Sequence, residues 1–327
     1  MAEATGTIAG GRFHVHPSCA EGEFMRSFSV ILLVFWAVPA LAWDDLGHMT
    51  VAEVAYQGLT LATRQHVGAL LKLNPQYASW IAGIPTAKQE ETAFLRAATW
   101  PDFIKKAPGY TNDGDRPSGP DVAANIGYTD KLQHRYWHFV DLPFSPDHTA
   151  TTPPSVPNAV TQIAAFRTTL SSTTASDALK SYDLVWILHV VGDIHQPLHA
   201  TSRFTQTQPK GDNGGNLVKV CAPTCNGELH AFWDDILGTS KTTSAAIKLA
   251  KKLPAADPTQ AAIADENAWA TESEQLAEGD VYVKPIGGGA GPYHISAAYK
   301  SHAADVARTR IAVAGARLAA LLNAALP

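Results

Sequence analysis

The sequence predicts a mostly α-helical protein folded as one compact multi-helix domain with long functional loops. Three observations predict it. Apolar residues recur at helical spacing over long stretches, strand-like alternation is scarce, and the segments between the helical stretches are long and rich in Gly, Pro, Asp and Asn. The 327 residues are 46% hydrophobic and 17% charged, which is ample for a packed core and too apolar for a disordered chain.

The amino terminus lies outside this domain. Residues 1–24 show no periodicity and read as an upstream extension. Met25 opens a segment with Arg26, an apolar run from Phe28 to Val38, and Ala40-Leu41-Ala42 at its end. A basic start, a short apolar stretch and a small-x-small close are the parts of a secretory signal, cleaved after Ala42. The run is shorter than the roughly 20 residues that span a bilayer, and Pro39 interrupts it, so no stable membrane association is expected after cleavage. The expected secreted or periplasmic chain, taken as a monomer, is the domain 43–327, beginning at Trp43.

Within it, Val51, Val54, Ala55 and Leu59, then Val67, Leu70 and Leu71, place helix over 47–73. Residues 158–171, 177–196 and 228–237 read similarly, and 296–325 is an Ala/Leu-rich closing helix starting near Ser296. Leu217–Val220 is the best strand candidate, and 106–130, 143–157, 200–216 and 284–293 are loops. Cys221 and Cys225 remain after trimming. A C-x-x-x-C pair with no second pair to complete a metal site reads as a small loop-closing disulfide in an oxidising compartment.

With 25 Lys+Arg against 30 Asp+Glu, a formal charge of −5 and a pI near 6.2, the chain has no basic surplus with which to coat nucleic acid. Its 13 histidines are less ordinary. His189 and Asp193 stand four apart in a helical pattern, so both project from one face. Pro197 ends or kinks that helix and lets His199 approach the same point from a turn. His230 and Asp234 repeat the device. Imidazole and carboxylate are ordinary zinc ligands, and an i,i+4 pair supplies two of them to one ion. Either pair alone is weak evidence; two pairs with a nearby third histidine are not. Asp102, His138 and His48 add donors of the same type, each of which singly reads as a satisfied polar residue beside an aromatic.

In order along the chain stand W-x-x-x-G-H at 43–48, W-x-D at 100–102, W-H-F-x-D at 137–141, H-x-x-x-D-x-H-Q-P-L-H at 189–199, G-G-N at 214–216 and H-x-x-W-D at 230–234. Together these motifs resemble the zinc-dependent single-strand nuclease family (nuclease type I), within the phospholipase C/nuclease superfamily. The resemblance covers essentially all of 43–327. It implies a cleft holding three zinc ions per chain. One would be held by Asp102, His138, His189 and Asp193. A second would be held by the α-amine and carbonyl oxygen of Trp43, with His48 and the shared Asp193. His199, His230 and Asp234 would hold the third. His195 matches no ligand position and reads as a hydrogen-bond partner in the core. His14 and His16 precede the cleavage site, while His66, His134, His148, His294 and His302 read as surface or structural.

The resemblance further implies hydrolysis of single-stranded DNA and RNA, and of 3′-nucleotides, to 5′-phosphate products by metal-activated hydroxide. Lys105 stands where the family carries Arg or Lys near the scissile phosphate, and takes the role of transition-state charge stabilisation; the alternative is a solvated loop lysine beside Lys106. Phe139 would stack on a base, with Asp141 and Asn216 touching base edges. The alternatives are a core phenylalanine, and an aspartate that orients a ligand. A zinc phospholipase C-like lipid phosphodiesterase, and a secreted zinc-binding protein without catalysis, are the rival readings. Trimming leaves 23 basic against 27 acidic residues, so three zinc ions would bring the mature chain from −4 to about +2.

Overall fold

The computed structural model describes residues 43–327, and the expected upstream extension and secretory signal lie outside the described residues. Helices dominate, and they arrange themselves around one that is apolar on every side. This is α7 (Asp177–Asp193), in which every residue from Ser181 to Asp193 is buried. A helix that is apolar all round must be enclosed. It is flanked by α1 (Asp45–Gly58), α2 (Leu61–Leu71), α4 (Gln89–Ala97), α5 (Trp100–Ile104), α6 (Ala159–Ser171) and the closing α12 (Ala297–Ala325). The remaining helices are α3 (Tyr77–Ile81), α8 (Leu229–Asp234), α9 (Thr243–Ala250), α10 (Pro258–Ala261) and α11 (Glu266–Leu276), the last running into a π-turn at Ala277–Val281.

Helix ends follow local chemistry. Asn158 caps α6 by accepting from the N–H groups of Val160 and Thr161, while Thr161 Oγ1 accepts from the Asn158 N–H, a reciprocal box. Ser176 and Ser296 cap α7 and α12 by a single bond each, accepting from the N–H groups of Leu179 and Tyr299. The continuous helix expected over 47–73 is two helices. Leu59 is extended, and Thr60 starts the second by accepting from the Thr63 N–H at 3.1 Å. The long α1 and α12 cross closely because Gly315 has no side chain: a Cβ there would meet Val54 Cβ at 2.4 Å and Val51 O at 2.9 Å.

Strands are few and short. β1 (Leu142–Phe144) pairs in parallel with β2 (Thr201–Arg203), Leu142 opposite Thr201. A second sheet has the order β4-β3-β5, from β3 (Lys219–Cys221), β4 (Gly227–Glu228) and β5 (Tyr293–His294). The strand expected at 217–220 therefore starts two residues later and ends at Cys221. Cys221 and Cys225 form the expected disulfide, which removes them as metal donors beside His294. Two apolar cores result. The larger surrounds α7 and includes Trp137, Trp186 and Phe166; the smaller gathers Leu198, Val218, Val220, Leu229 and Trp233. Among the described residues no helix is long and apolar enough to cross a membrane.

Candidate metal centre

Six elements bring eight donor side chains together between the two cores. His48 comes from α1, Asp102 from α5, and His138 from the end of a short 3₁₀ turn at Arg135–Trp137. His189 and Asp193 come from the buried end of α7, and His199 from a 3₁₀ turn at Pro197–His199. His230 and Asp234 come from α8. Asp102 is 7% exposed and the other seven donors 4% or less. α7 stops at Asp193, three residues short of the expected 196, and the proline-led turn returns His199 towards the same point as expected.

Among the described residues these donors form three groups: His48, His189 and Asp193; Asp102, His138 and His189; and His199, His230 and Asp234. Zinc bonds of about 2.0–2.1 Å in a tetrahedron place donor atoms about 3.3 Å apart. His189 Nε2 lies 3.0 Å from His138 Nδ1, 3.3 Å from Asp193 Oδ2 and 3.7 Å from Asp102 Oδ1. His138 Nδ1 is 3.0 Å from Asp193 Oδ2. The other oxygen of the same carboxylate, Asp193 Oδ1, faces His48 Nε2 at 3.3 Å. Asp193 thus turns its two oxygens towards two different groups of donors, which is the arrangement a bridging ligand needs. His230 Nε2 lies 3.5 Å from Asp234 Oδ2, and His199 Nε2 lies 3.8 Å from Asp234 Oδ1.

The far sides of the rings decide what the near sides are for. His189 Nδ1 donates to Ala98 O at 2.7 Å, His199 Nδ1 to His138 O at 2.9 Å, and His230 Nδ1 to Gly214 O at 2.6 Å. Each bond fixes the tautomer and leaves Nε2 as a bare lone pair aimed inward. His199 Nε2 and His230 Nε2 then face each other at 2.9 Å. Burial pushes the His199 imidazole well down and His230 to about 4, so both are neutral and neither carries a proton to share. Two lone pairs at that distance repel unless a cation sits against both. His48 Nδ1 and Nε2, Asp193 Oδ1 and Asp234 Oδ2 are also buried with no hydrogen-bond partner among the described residues. Burial, with neighbouring carboxylates, pushes the carboxyls of Asp193 and Asp234 well up, a cost that a bound cation offsets. This donor set fits zinc.

Two glycines make the packing possible. A Cβ on Gly192 would meet His48 Nδ1 at 3.0 Å, and one on Gly47 would meet Trp43 Cβ at 2.6 Å. Trp43 is fully buried, and its indole N–H donates to Gly192 O at 3.0 Å, one residue before Asp193. That contact sets the residue expected to be the mature amino terminus against the last turn of α7, which ends in Asp193.

Lys105 is drawn inward, not solvated. Its side chain is 3% exposed and Nζ donates to Asp102 Oδ1 at 2.8 Å. Its charge helps depress His138, His189, His199 and His230, which puts it near both ends of the centre. Phe139 and Asp141 line a pocket with Arg116, Tyr136, Phe204 and Lys210. Burial raises the Asp141 carboxyl to about 6, opposed by the Arg116 guanidinium. Asn216 is placed differently from its expected role. Its amide donates to Asn213 O at 2.7 Å within the loop, and Asn213 is the residue that lines the pocket. The sequence could have raised that alternative through the Asp-Asn-Gly-Gly run at 212–215, whose turn chemistry favours Asn at a left-handed position.

His195 sits in the core, Nδ1 donating to Val191 O at 2.7 Å and Nε2 accepting from Arg317 at 2.9 Å. His134 is also buried, stacked on Trp137 with ring centroids 3.5 Å apart and bonded to Asp130.

The S1/P1 nuclease family model matches residues 43–327. The chain belongs to the S1/P1 nuclease family. It is 28% identical to Endonuclease 3 of Arabidopsis thaliana over 215 residues, covering 64% of this chain and 59% of that relative. Nuclease S1 of Aspergillus oryzae is 26% identical over 198 residues, 59% of this chain and 53% of that protein. Endonuclease 2 of Arabidopsis thaliana reaches 34% identity over a shorter stretch of 77 residues. The matched region thus spans between half and three-fifths of Endonuclease 3 and Nuclease S1.

Proposed function

We propose that the mature chain, residues 43–327 after removal of a secretory signal at 25–42, is a secreted trinuclear-zinc phosphodiesterase. It hydrolyses single-stranded DNA and RNA, and 3′-nucleotides, to 5′-phosphate products. The observation that carries this reading is the convergence of three buried carboxylate–histidine groups, with Nε2 of His199 and His230 facing each other at 2.9 Å. Asp102, His138, His189 and Asp193 would hold one ion. His48, Asp193 and the Trp43 amine and carbonyl would hold a second, and His199, His230 and Asp234 a third. When bound, the ions supply Lewis acidity, lowering the pKa of water and neutralising charge that builds on phosphate oxygens.

The chain's own residues do the remaining work. Lys105 adds one fixed positive charge beside Asp102, aimed where a phosphate would lie against the centre. Phe139 offers a half-buried ring to one unpaired base, an interaction every base can make. Asp141 and Asn213 give that pocket polar edges. A stacking ring beside a recessed centre admits a splayed nucleotide and excludes a paired one. The carbonyls of Ala98, His138 and Gly214 hold the histidines in one tautomer throughout.

Trp43 makes processing part of the chemistry. An α-amine has a pKa of roughly 8 and yields its proton to a cation near neutral pH, whereas the amide of an unprocessed chain is a poor ligand. The deciding experiment measures metal content of the protein starting at Trp43, and its action on single-stranded DNA, duplex DNA and phosphatidylcholine vesicles, before and after chelation. Three zinc ions and chelator-sensitive cleavage of the single strand alone are expected. Turnover of the lipid instead, or zinc with no turnover, would overturn the reading.

A further inference from the structure

One buried carboxylate outside the donor set occupies an unusual position. Asp212 is fully buried, and its Oδ1 accepts from the backbone N–H of Arg203 at 3.0 Å and of Gly215 at 3.2 Å. The first bond ties it to the end of β2, the strand that follows His199 directly. The second ties it to the loop 211–217. Its Oδ2 faces Arg203 Nε at 3.4 Å, and that guanidinium lies over the Tyr282 ring and donates to Gly287 O at 2.7 Å.

The loop held in this way has two working sides. Gly211, Asn213, Gly214 and Gly215 all have positive φ, so its path depends on residues that tolerate the left-handed region. On one side Asn213 lines the pocket that contains Phe139 and Asp141. On the other, Gly214 O receives the Nδ1–H of His230 at 2.6 Å. The loop also packs tightly under the turn that carries His199: a Cβ on Gly214 would meet Leu198 O at 2.3 Å.

We propose that Asp212 is a positioning residue that fixes, through this one loop, both the His230 end of the metal centre and the Asn213 wall of the nucleotide pocket. The proposal rests on the nuclease reading for the identity of the pocket's ligand, but not for its effect on metal. Metal affinity and nucleotide affinity are therefore coupled through a side chain that touches neither ligand. Removing the acceptor releases the Gly215 N–H, and the Gly214 carbonyl and the Asn213 side chain move together.

The test uses the whole mature protein and three measurements: affinity for zinc by competition with a chromogenic chelator, Kd for a dinucleoside phosphorothioate, and Tm with and without zinc. D212A should weaken the most loosely held zinc about tenfold or more, and raise the phosphorothioate Kd by a similar factor. The Tm gap between loaded and metal-free protein should shrink with them. D212N keeps an oxygen acceptor in place and should restore both affinities to within about threefold. N213G, which suits the positive φ, should raise Kd with zinc affinity unchanged.

If D212A does not fold, D212E carries the same test, because it keeps the charge while displacing the acceptor by one methylene. An equal Tm loss with and without zinc, at unchanged zinc affinity and Kd, would overturn the proposal. So would a shift of one affinity without the other in D212A or D212E. A wild-type chain that cleaves no nucleic acid refutes the nuclease reading and leaves the zinc measurement decisive for Asp212.

Discussion

The two ends of the candidate metal centre stand on unlike scaffolds. Asp102, His138, His189, Asp193 and His48 are set in the large core. Behind them Trp100 meets Tyr110, Tyr128, Tyr182 and Trp186 edge to face at 5.9–6.2 Å, and Trp186 lies 5.4 Å from His138. Close packing of this kind leaves a ring few alternatives to the rotamer it holds. His199, His230 and Asp234 come instead from a three-residue turn and a six-residue helix over the small core, and the carbonyls behind their rings belong to irregular segments. One end is positioned by packing and the other by hydrogen bonds from loops. The first should keep its geometry when metal is removed, whereas the second should relax.

The sharpest way to break that contrast is through the carboxylates. Asp193 faces both donor groups of the packed end, so D193N should remove two ions and lower kcat by about a thousandfold or more, with little change in the ion held by His199 and His230. D234N should remove one ion and leave the packed pair loaded. Metal stoichiometry of the two variants checks this, and equal losses would mean that the ends are not separate. Lys105 bonds to Asp102 and its charge acts on histidines of both ends, and K105M should cost about 10²–10³ in kcat at unchanged metal content. K105R should recover part of that loss, because it restores the charge with a different shape.

One pair of donors at each end was legible in the sequence, and for a physical reason. An i,i+4 pair on a buried helix announces a shared face, so His189 and Asp193 could be read together, and His230 and Asp234 likewise. The closing helix and α6 were equally plain, since their caps and apolar spacing are local. α4, α9 and α11 were not anticipated, because each is short or has a largely polar face that only tertiary packing explains. The roles of Gly47 and Gly192 were hidden as well: what they make room for is 4 residues away in one case and 144 in the other. Asn216 illustrates the same limit. The motif marks the loop, but which of two asparagines faces the pocket is set by a left-handed turn.

A smaller effect sharpens the contrast at the pocket lined by Phe139 and Asn213. The Asp141 carboxyl is raised to about 6, chiefly by burial. Its neutral form can donate to a base edge, and its charged form can only accept. A raised folded-state pKa also means that its contribution to stability is full below the ordinary value of 3.8 and is lost as pH rises through about 6. KM for single strands should therefore change severalfold between about pH 5 and pH 7, and D141N, permanently neutral, should flatten that change. An unaltered profile in D141N would assign the titration to another group.

The least of these effects probes the loop-mounted end from a distance. Cys221 and Cys225 close a loop with a sequence separation of 4, on β3 next to Val220 of the small core. Closing so short a loop constrains the unfolded chain little, so C221S/C225S should cost about 2 kcal/mol on the chain-entropy account. If packing and loop hydrogen bonds are separate supports, that loss falls unevenly. The ion at His199, His230 and Asp234 should become easier to chelate in the double variant, while the two at Asp193 keep their wild-type affinity. Uniform loosening of all three ions would show that the small core bears on the whole centre, and that the two scaffolds act as one.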